Sequence, residues 1–289
     1  MKKINRRTFI RKGTVGLGSV FALTHVPGML LAKGLSKPYD FPIGFQSFPI
    51  RDMLAKDFAG ALKTMAGFGY KLVEMCSPGG YAQIGFGFLT KMKTSDIKSI
   101  IVDSGLTCPS CHFGKSEFTP ENLDKSIEFA HDLGLSQMIC STFWLPKTAT
   151  LNDYYSDADK LNLAAEKIKS AGMQTGFHNH EMEFAMLEGQ LIYDALMSRF
   201  DPDLVKMQFQ TEVINLGYKA STYFNKYPGR FISSHLSDWT ADKKEAAVGQ
   251  GIIDWKEFFA AAKTGGVKNF FVEMNFDKFQ DSVRYIKGL

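Results

Sequence analysis

A chain of 289 residues with 45% hydrophobic and 22% charged side chains holds enough apolar material for one large core or two small ones. Its formal net charge of +4 owes much to Lys2, Lys3, Arg6, Arg7, Arg11 and Lys12, without which the balance is slightly negative. A domain of that charge lacks the basic stripe that nucleic-acid binding needs, so nucleic acid is not an expected partner.

The chain opens on a basic start, continues as an apolar run from Gly13 to Leu31 interrupted by Gly and Pro, and turns small and polar at Ala32-Lys33-Gly34. That order is the pattern of a targeting segment over residues 1–33, leaving 34–289 as one domain. Asn5-Arg6-Arg7-Thr8-Phe9-Ile10-Arg11-Lys12 resembles a twin-arginine signal, which implies export of a folded protein to the periplasm. Left uncleaved, the segment would be a membrane anchor, because its apolar run approaches spanning length. No later stretch is apolar enough to span a bilayer, and no membrane contact is expected once the signal is removed.

Beyond a short linker, Ile43 to Phe48 reads as a strand and Asp57 to Phe68 as a helix stopped by Gly67-Phe68-Gly69. Strand and helix then alternate. Tyr70–Met75, Leu106–His112, Ser136–Cys140, Met173–His178, Leu204–Gln210, Phe231–Leu236 and Val267–Glu273 are the extended stretches. Between and after them, helices are expected over Thr94–Ser104, Pro120–Leu133, Asp153–Ser170, Asp194–Arg199, Ser221–Lys226, Trp255–Lys263 and Asp277–Lys287. Eight such units argue for an α/β fold, a single (β/α)8 TIM barrel. A doubly wound sheet would carry a glycine-rich turn after its first strand, and Phe45-Gln46-Ser47-Phe48-Pro49-Ile50 has no glycine.

Cys108-Pro109-Ser110-Cys111 followed by His112 is a C-x-x-C without a thioredoxin-like βαβ context or a second cysteine pair for zinc. Ordinary strand residues, or a pair oxidised after export, are the expectation.

A barrel gathers its active site at the C-terminal ends of its strands. Those ends carry Gln46, Glu74, His112, His178, His180, Gln208, Gln210, His235, Asp238 and Glu273. The densest stretch, Thr175-Gly176-Phe177-His178-Asn179-His180-Glu181-Met182-Glu183-Phe184, packs two histidines and two carboxylates into seven residues. His178, Gln210, His235 and Glu273 from four successive strands would offer two imidazoles, an amide oxygen and a carboxylate. That mixed set suits Mn²⁺, Co²⁺, Fe²⁺, Ni²⁺ or Zn²⁺ better than Ca²⁺. Taken singly, each histidine reads more readily as a hydrogen-bonded strand-end residue; it is the four strand ends together that point to a metal. Phe48, Phe143, Trp144 and Trp239 are candidates for stacking on a ligand ring, and Lys147, Lys243 and Lys244 for reaching ligand oxygens.

Gly176-Phe177-His178-Asn179-His180-Glu181-Met182-Glu183-Phe184, Tyr227-Pro228-Gly229-Arg230-Phe231, His235-Leu236-Ser237-Asp238, Val248-Gly249-Gln250-Gly251-Ile252-Ile253-Asp254-Trp255 and Val272-Glu273 resemble the sugar phosphate isomerase/epimerase family, a xylose-isomerase-like TIM-barrel group. The resemblance spans about 41 to 287. It implies a metal held by Glu, Asp, His and Glu from strands five to eight; at those places stand His178, Gln210, His235 and Glu273, of which only the last two match. His180 is an alternative ligand to His178. Glu273 is the one metal-bound base that remains, so Glu74, Glu183, His112 or His180 would have to be the second.

The expected activity is metal-dependent isomerisation or epimerisation by proton abstraction α to a carbonyl of a non-phosphorylated sugar or keto-sugar, since phosphorylated sugars are scarce in the periplasm. Lyase or hydratase action on 3-keto-glycosides shares that step. An exported sugar-binding barrel without catalysis is the non-enzyme reading, and metal-dependent cleavage of damaged DNA is disfavoured by the charge. The expected partner is a small carbohydrate; self-association is left open.

Overall fold

The computed structural model describes residues 41–289, so the expected signal over 1–33 lies outside the described residues. Eight parallel strands close on themselves: β1 (Ile43–Gln46), β2 (Leu72–Cys76), β3 (Thr107–Phe113), β4 (Gln137–Cys140), β5 (Gln174–His178), β6 (Val205–Gln210), β7 (Phe231–Leu236) and β8 (Asn269–Val272). Each strand pairs with its sequence neighbours, and β1 pairs with β8 to shut the ring. Between and after them run α1 (Phe58–Phe68), α2 (Thr94–Asp103), α3 (Leu123–Leu133), α4 (Leu151–Ser170), α5 (Ile192–Arg199), α6 (Ala220–Lys226), α7 (Trp255–Gly265) and α8 (Phe279–Gly288). The architecture is the (β/α)8 barrel expected from the alternation.

Local chemistry sets the element ends. Asp57 starts α1 by accepting from the Gly60 N–H at 2.9 Å, and Gly69, at φ +108°, ends it in a conformation that side chains resist. Thr150 and Asp153 exchange hydrogen bonds as a capping box, so α4 begins at Leu151, two residues before the expected Asp153. β1 ends two residues short of Phe48 because Pro49 enters a 3₁₀ turn over Phe48–Ile50, followed by a short helix over Arg51–Lys56 that the sequence does not advertise. The expected helix from Pro120 begins only at Leu123, since Thr119 to Asn122 is a turn closed by Asn122 N–H on the Thr119 carbonyl at 3.0 Å.

A shell of buried apolar residues lies between strands and helices, aromatic-rich at Phe177, Phe200, Phe209, Phe224, Phe231 and Phe258. Leu72, Ile139, Ile232 and Phe271 are buried apart from that shell. Gly44 and Gly176 make room for two of them, because a Cβ would fall 2.4 Å from the Phe271 ring or from Ile139 Cδ1. The lumen is therefore a packed floor rather than a pore. All four cysteines are buried and free: Cys108 Sγ lies 3.3 Å from the Ser110 carbonyl and Cys111 Sγ 3.5 Å from the His112 carbonyl, so the C-x-x-C is not an oxidised pair. No helix among the described residues is long and apolar enough to cross a membrane.

Candidate functional site

Strand alternation sends every second side chain into the lumen. Ser110 and His112 on β3, Gln208 and Gln210 on β6, and Ser233 and His235 on β7 each form such a pair, and Glu74 of β2 lies fully buried among them. The Oε1 atom of Glu74 accepts from Ser110 Oγ at 2.5 Å and Gln208 Nε2 at 2.8 Å. Its Oε2 faces His235 Nε2 at 2.5 Å, His112 Nε2 at 3.2 Å and Gln46 Nε2 at 3.3 Å. Gln208 is the joint of this layer: its Nε2 also donates to Ser233 Oγ, and its Oε1 accepts from His112 Nε2 at 2.6 Å.

One step nearer the mouth, His235 Nδ1 donates to Glu273 Oε2 at 2.8 Å, and Gln210 Nε2 donates to the same oxygen at 2.6 Å. With both nitrogens on carboxylates, His235 is an imidazolium: burial works against its charge, but Glu273 and Glu74 push its pKa up to about 9. Burial likewise opposes ionisation of Glu74 and Glu273, yet neighbouring histidines outweigh it and hold both below the usual carboxylate range. Two anions thus face one cation.

The other histidines of the stretch stay neutral. His178 is held well below its ordinary pKa by burial and then by His235, His180 and His112; His180 is lowered to about 4, chiefly by burial. The ring of His178 lies 4.4 Å from that of His235 and 4.9 Å from that of His112, and one nitrogen from each of the three falls within 4.8 Å of the others. The Nδ1 atoms of His178 and His180 are buried without a hydrogen-bond partner. A divalent ion taking the place of the His235 proton would meet the orphaned His178 nitrogen, two more imidazoles and a surplus of carboxylate, a donor set that fits it.

The sequence-level candidates thus separate. His112, His178, His235, Gln210, Glu74 and Glu273 meet at the mouth, with His180 at its edge, 4.8 Å ring to ring from His178. Gln210, read as a ligand, has its amide nitrogen on Glu273 and its oxygen 3.3 Å from Ser237 Oγ. Glu183 is turned into the loops: it accepts from Thr142 Oγ at 2.6 Å and from the His180 N–H at 2.7 Å. Burial raises its pKa to about 7. Asp238 holds the following loop, accepting from the N–H groups of Gly249 and Gly251 and from Trp255 Nε1 at 2.8 to 3.0 Å.

Among the aromatic candidates, Phe143 is buried against Phe177 at 4.8 Å and cannot face a sugar, whereas Trp144 is 62% exposed and lies 5.1 Å from the His180 ring. Phe48 is covered by the Arg51 guanidinium at 4.4 Å. Sequence reasoning missed Ser110, Ser233 and Thr142 and gave Gln208 no role; the two-residue spacings Ser110/His112 and Ser233/His235 were the available signal for two of them.

Residues 62–288 match the family described as xylose isomerase-like TIM barrel. A crystal structure of a sugar phosphate isomerase/epimerase from Parabacteroides distasonis ATCC 8503 superposes with a TM-score of 0.71 at 26% identity, covering 86% of this chain and 94% of that one. A second sugar phosphate isomerase/epimerase structure from the same strain gives 0.69 at 24% identity, covering 85% and 97%. A xylose isomerase-like TIM barrel protein from Mycobacterium smegmatis in complex with magnesium gives 0.58 at 16% identity over 86% of this chain and 95% of that one, a likeness of fold. Among curated proteins, none matches this sequence. With its closed eight-stranded barrel, its histidine-lined mouth and a match over residues 62–288, the chain belongs to the xylose isomerase-like TIM barrel family.

Proposed function

We propose that this barrel is an enzyme that removes a proton α to the carbonyl of a non-phosphorylated sugar or keto-sugar, with a divalent ion at the strand-end histidines. The observation that carries the reading is the state of Glu273: it is anionic, its side chain is 20% exposed, and it adjoins three buried histidines that fit an ion. Once the His235 imidazolium gave up a proton and one of its carboxylate bonds, His178 and His235 of the expected set would hold the ion together with His112, while Gln210 braces Glu273. When bound, the ion supplies a Lewis acid for the substrate carbonyl.

The chain's own groups handle the proton. Oε2 of Glu273 is engaged by Gln210 and His235, which orients the carboxylate and leaves Oε1 to take the α proton. His180, neutral and with Nδ1 unpartnered, is placed to take a proton from solvent or substrate and, as the imidazolium so formed, to return it or to protonate a departing oxygen. Glu74, enclosed by five polar side chains, serves as counter-charge to His235 rather than as a base. Glu183 fixes the backbone of His180.

Carboxylates gather beside Glu273: burial and then Glu181, Glu273 and Glu245 raise Glu212 to about 7. A phosphate dianion would enter against that field, which supports an uncharged sugar, as does the export signal read in the first 33 residues. Abstraction of the same proton starts an elimination when a leaving group stands one carbon further on. Lyase or hydratase action on a 3-keto-glycoside is therefore the second reading, favoured by the exposed Trp144 at the rim.

Incubation of the Mn²⁺-loaded protein with keto-sugars in D₂O tests the chemistry. Solvent deuterium at an α carbon is expected; its absence from every keto-sugar that binds would overturn the reading.

A further inference from the structure

We propose that Trp144 is the floor of a second subsite, which takes an uncharged ring attached to the ring that reacts at the histidine cluster. The substrate is then a glycoside or disaccharide rather than a free monosaccharide. The inference rests on the histidine cluster being the place where the sugar carbonyl reacts.

Trp144 stands outside the cluster by two ring spacings. Its indole packs on His180 at 5.1 Å, and His180 in turn lies 4.8 Å from His178. Among the described residues it makes no ring contact with His112, His178 or His235. A single hexose with its carbonyl at the cluster covers His180; the next ring outward meets the indole. Trp144 as a whole is 62% exposed. An indole left open to water beside a polar cleft is the surface on which the C–H face of a sugar ring stacks.

The backbone shows that this exposure is enforced. Thr142, a β-branched residue, sits at φ +130°, and Trp144 at φ +50°. Two residues of three in conformations that side chains resist persist only where the surroundings hold them. The holder is Glu183. It accepts from Thr142 Oγ at 2.6 Å with one oxygen and from the His180 N–H at 2.7 Å with the other, so a single buried carboxylate ties the loop after β4 to the loop after β5. Phe143, between the strained residues, is anchored in the core against Phe177. The segment is pinned at Thr142 and Phe143, directly before an indole that itself stays in solvent beside His180.

The charge around the subsite selects its occupant. Glu212 stands near the carboxylates of Glu181, Glu273 and Glu245, so an uncharged ring fits and an anionic one does not.

Tryptophan emission supplies the test, because the chain has three tryptophans, of which Trp255 is 1% exposed and Trp239 half-buried. The full chain, with and without Mn²⁺, is titrated with cellobiose, maltose and glucose. The proposal expects a saturable blue shift with a disaccharide and a weaker one with glucose. Trp144→Ala should narrow the disaccharide preference by about tenfold in calorimetry, and Trp144→Phe should restore most of it. No shift with either disaccharide, or a Trp144→Ala variant that keeps the parent preference, would overturn the subsite. The two readings fail separately: deuterium incorporation without disaccharide preference removes only the subsite, and a Trp144-dependent shift without deuterium incorporation removes only the proposed reaction.

Discussion

The carboxylate of Glu74 and the imidazole of His235 meet at 2.5 Å inside the lumen, although β2 and β7 are not neighbours in the sheet. Neither side chain touches water, and each holds the other in its charged form. Glu74→Gln removes the anion and leaves a buried cation with one partner, which is expected to cost about 3 kcal/mol. In the metal-free protein the His235 pKa, raised from 6.5 to about 9, contributes stability that is complete below 6.5 and is lost as pH rises through 9. Urea unfolding of parent and variant between pH 6 and 9.5 should show that decline in the parent and a shallower one in Glu74→Gln. Parallel curves would show that the pair does not govern the charge of His235.

Metal content separates the histidines. His178→Ala and His112→Ala should abolish stoichiometric uptake of Mn²⁺ or Co²⁺ by elemental analysis. His180→Ala should retain the metal and lose turnover by roughly 10² to 10⁴. A reversed pattern, with metal lost only in His180→Ala, would exchange the roles of the two histidines in His178-Asn179-His180. If the parent takes up no metal and gains no thermal stability from Mn²⁺ or Co²⁺, the barrel is a sugar binder without this chemistry.

Glu183 gives a pH signature of opposite origin. Burial raises its pKa from 4.5 to about 7, so the folded state binds the extra proton and loses stability as pH rises from 4.5 through 7. The lowered pKa of His180 works the other way between 4 and 6.5, and the parent curve alone is therefore uninformative. The difference between Glu183→Gln and parent isolates the carboxylate: the variant should gain roughly 2 to 3 kcal/mol on the parent between pH 5 and 8. A difference that stays constant with pH would mean that Glu183 is ionised throughout.

Asp238 carries the loop from Val248 to Trp255 on two oxygens. Asp238→Asn turns an N–H₂ group toward backbone donors and should cost about 3 kcal/mol. It should also make the 248–254 segment a site of early cleavage in limited proteolysis. Gly251 cannot compensate by shifting inward, because even a Cβ there would lie 2.5 Å from the Trp239 carbonyl. An unchanged melting temperature would deny Asp238 this role.

The barrel was legible because its signals are local. Strands such as Asn269–Val272 are short, mostly apolar runs, and Gly69, Gly134 and Gly266 end their helices at positive φ where the sequence places a stop. The histidines and Glu273 were legible as a group because a closed barrel brings strand ends together. Their individual bonds were not. Whether Gln210 faces an ion or Glu273, and whether Glu183 faces the lumen or the Thr142 loop, depends on angles at the ends of strands that no spacing encodes. Phe143 and Trp144 show the same limit: adjacent aromatics, one in the core and one in solvent, are sorted only by the unusual backbone at Thr142 and Trp144.

The crossbar from Glu74 to His235 joins residues 161 positions apart, and the second bond of His235 waits for Glu273. No N-terminal fragment can assemble it. The first three strands offer Glu74 only Gln46, Ser110 and His112; His235 comes with β7, and Glu273 follows the last strand, which pairs with the first. Neutralisation of these charges is thus the final act of closure, and His235 is a reporter, within the lumen, of whether the ring has shut.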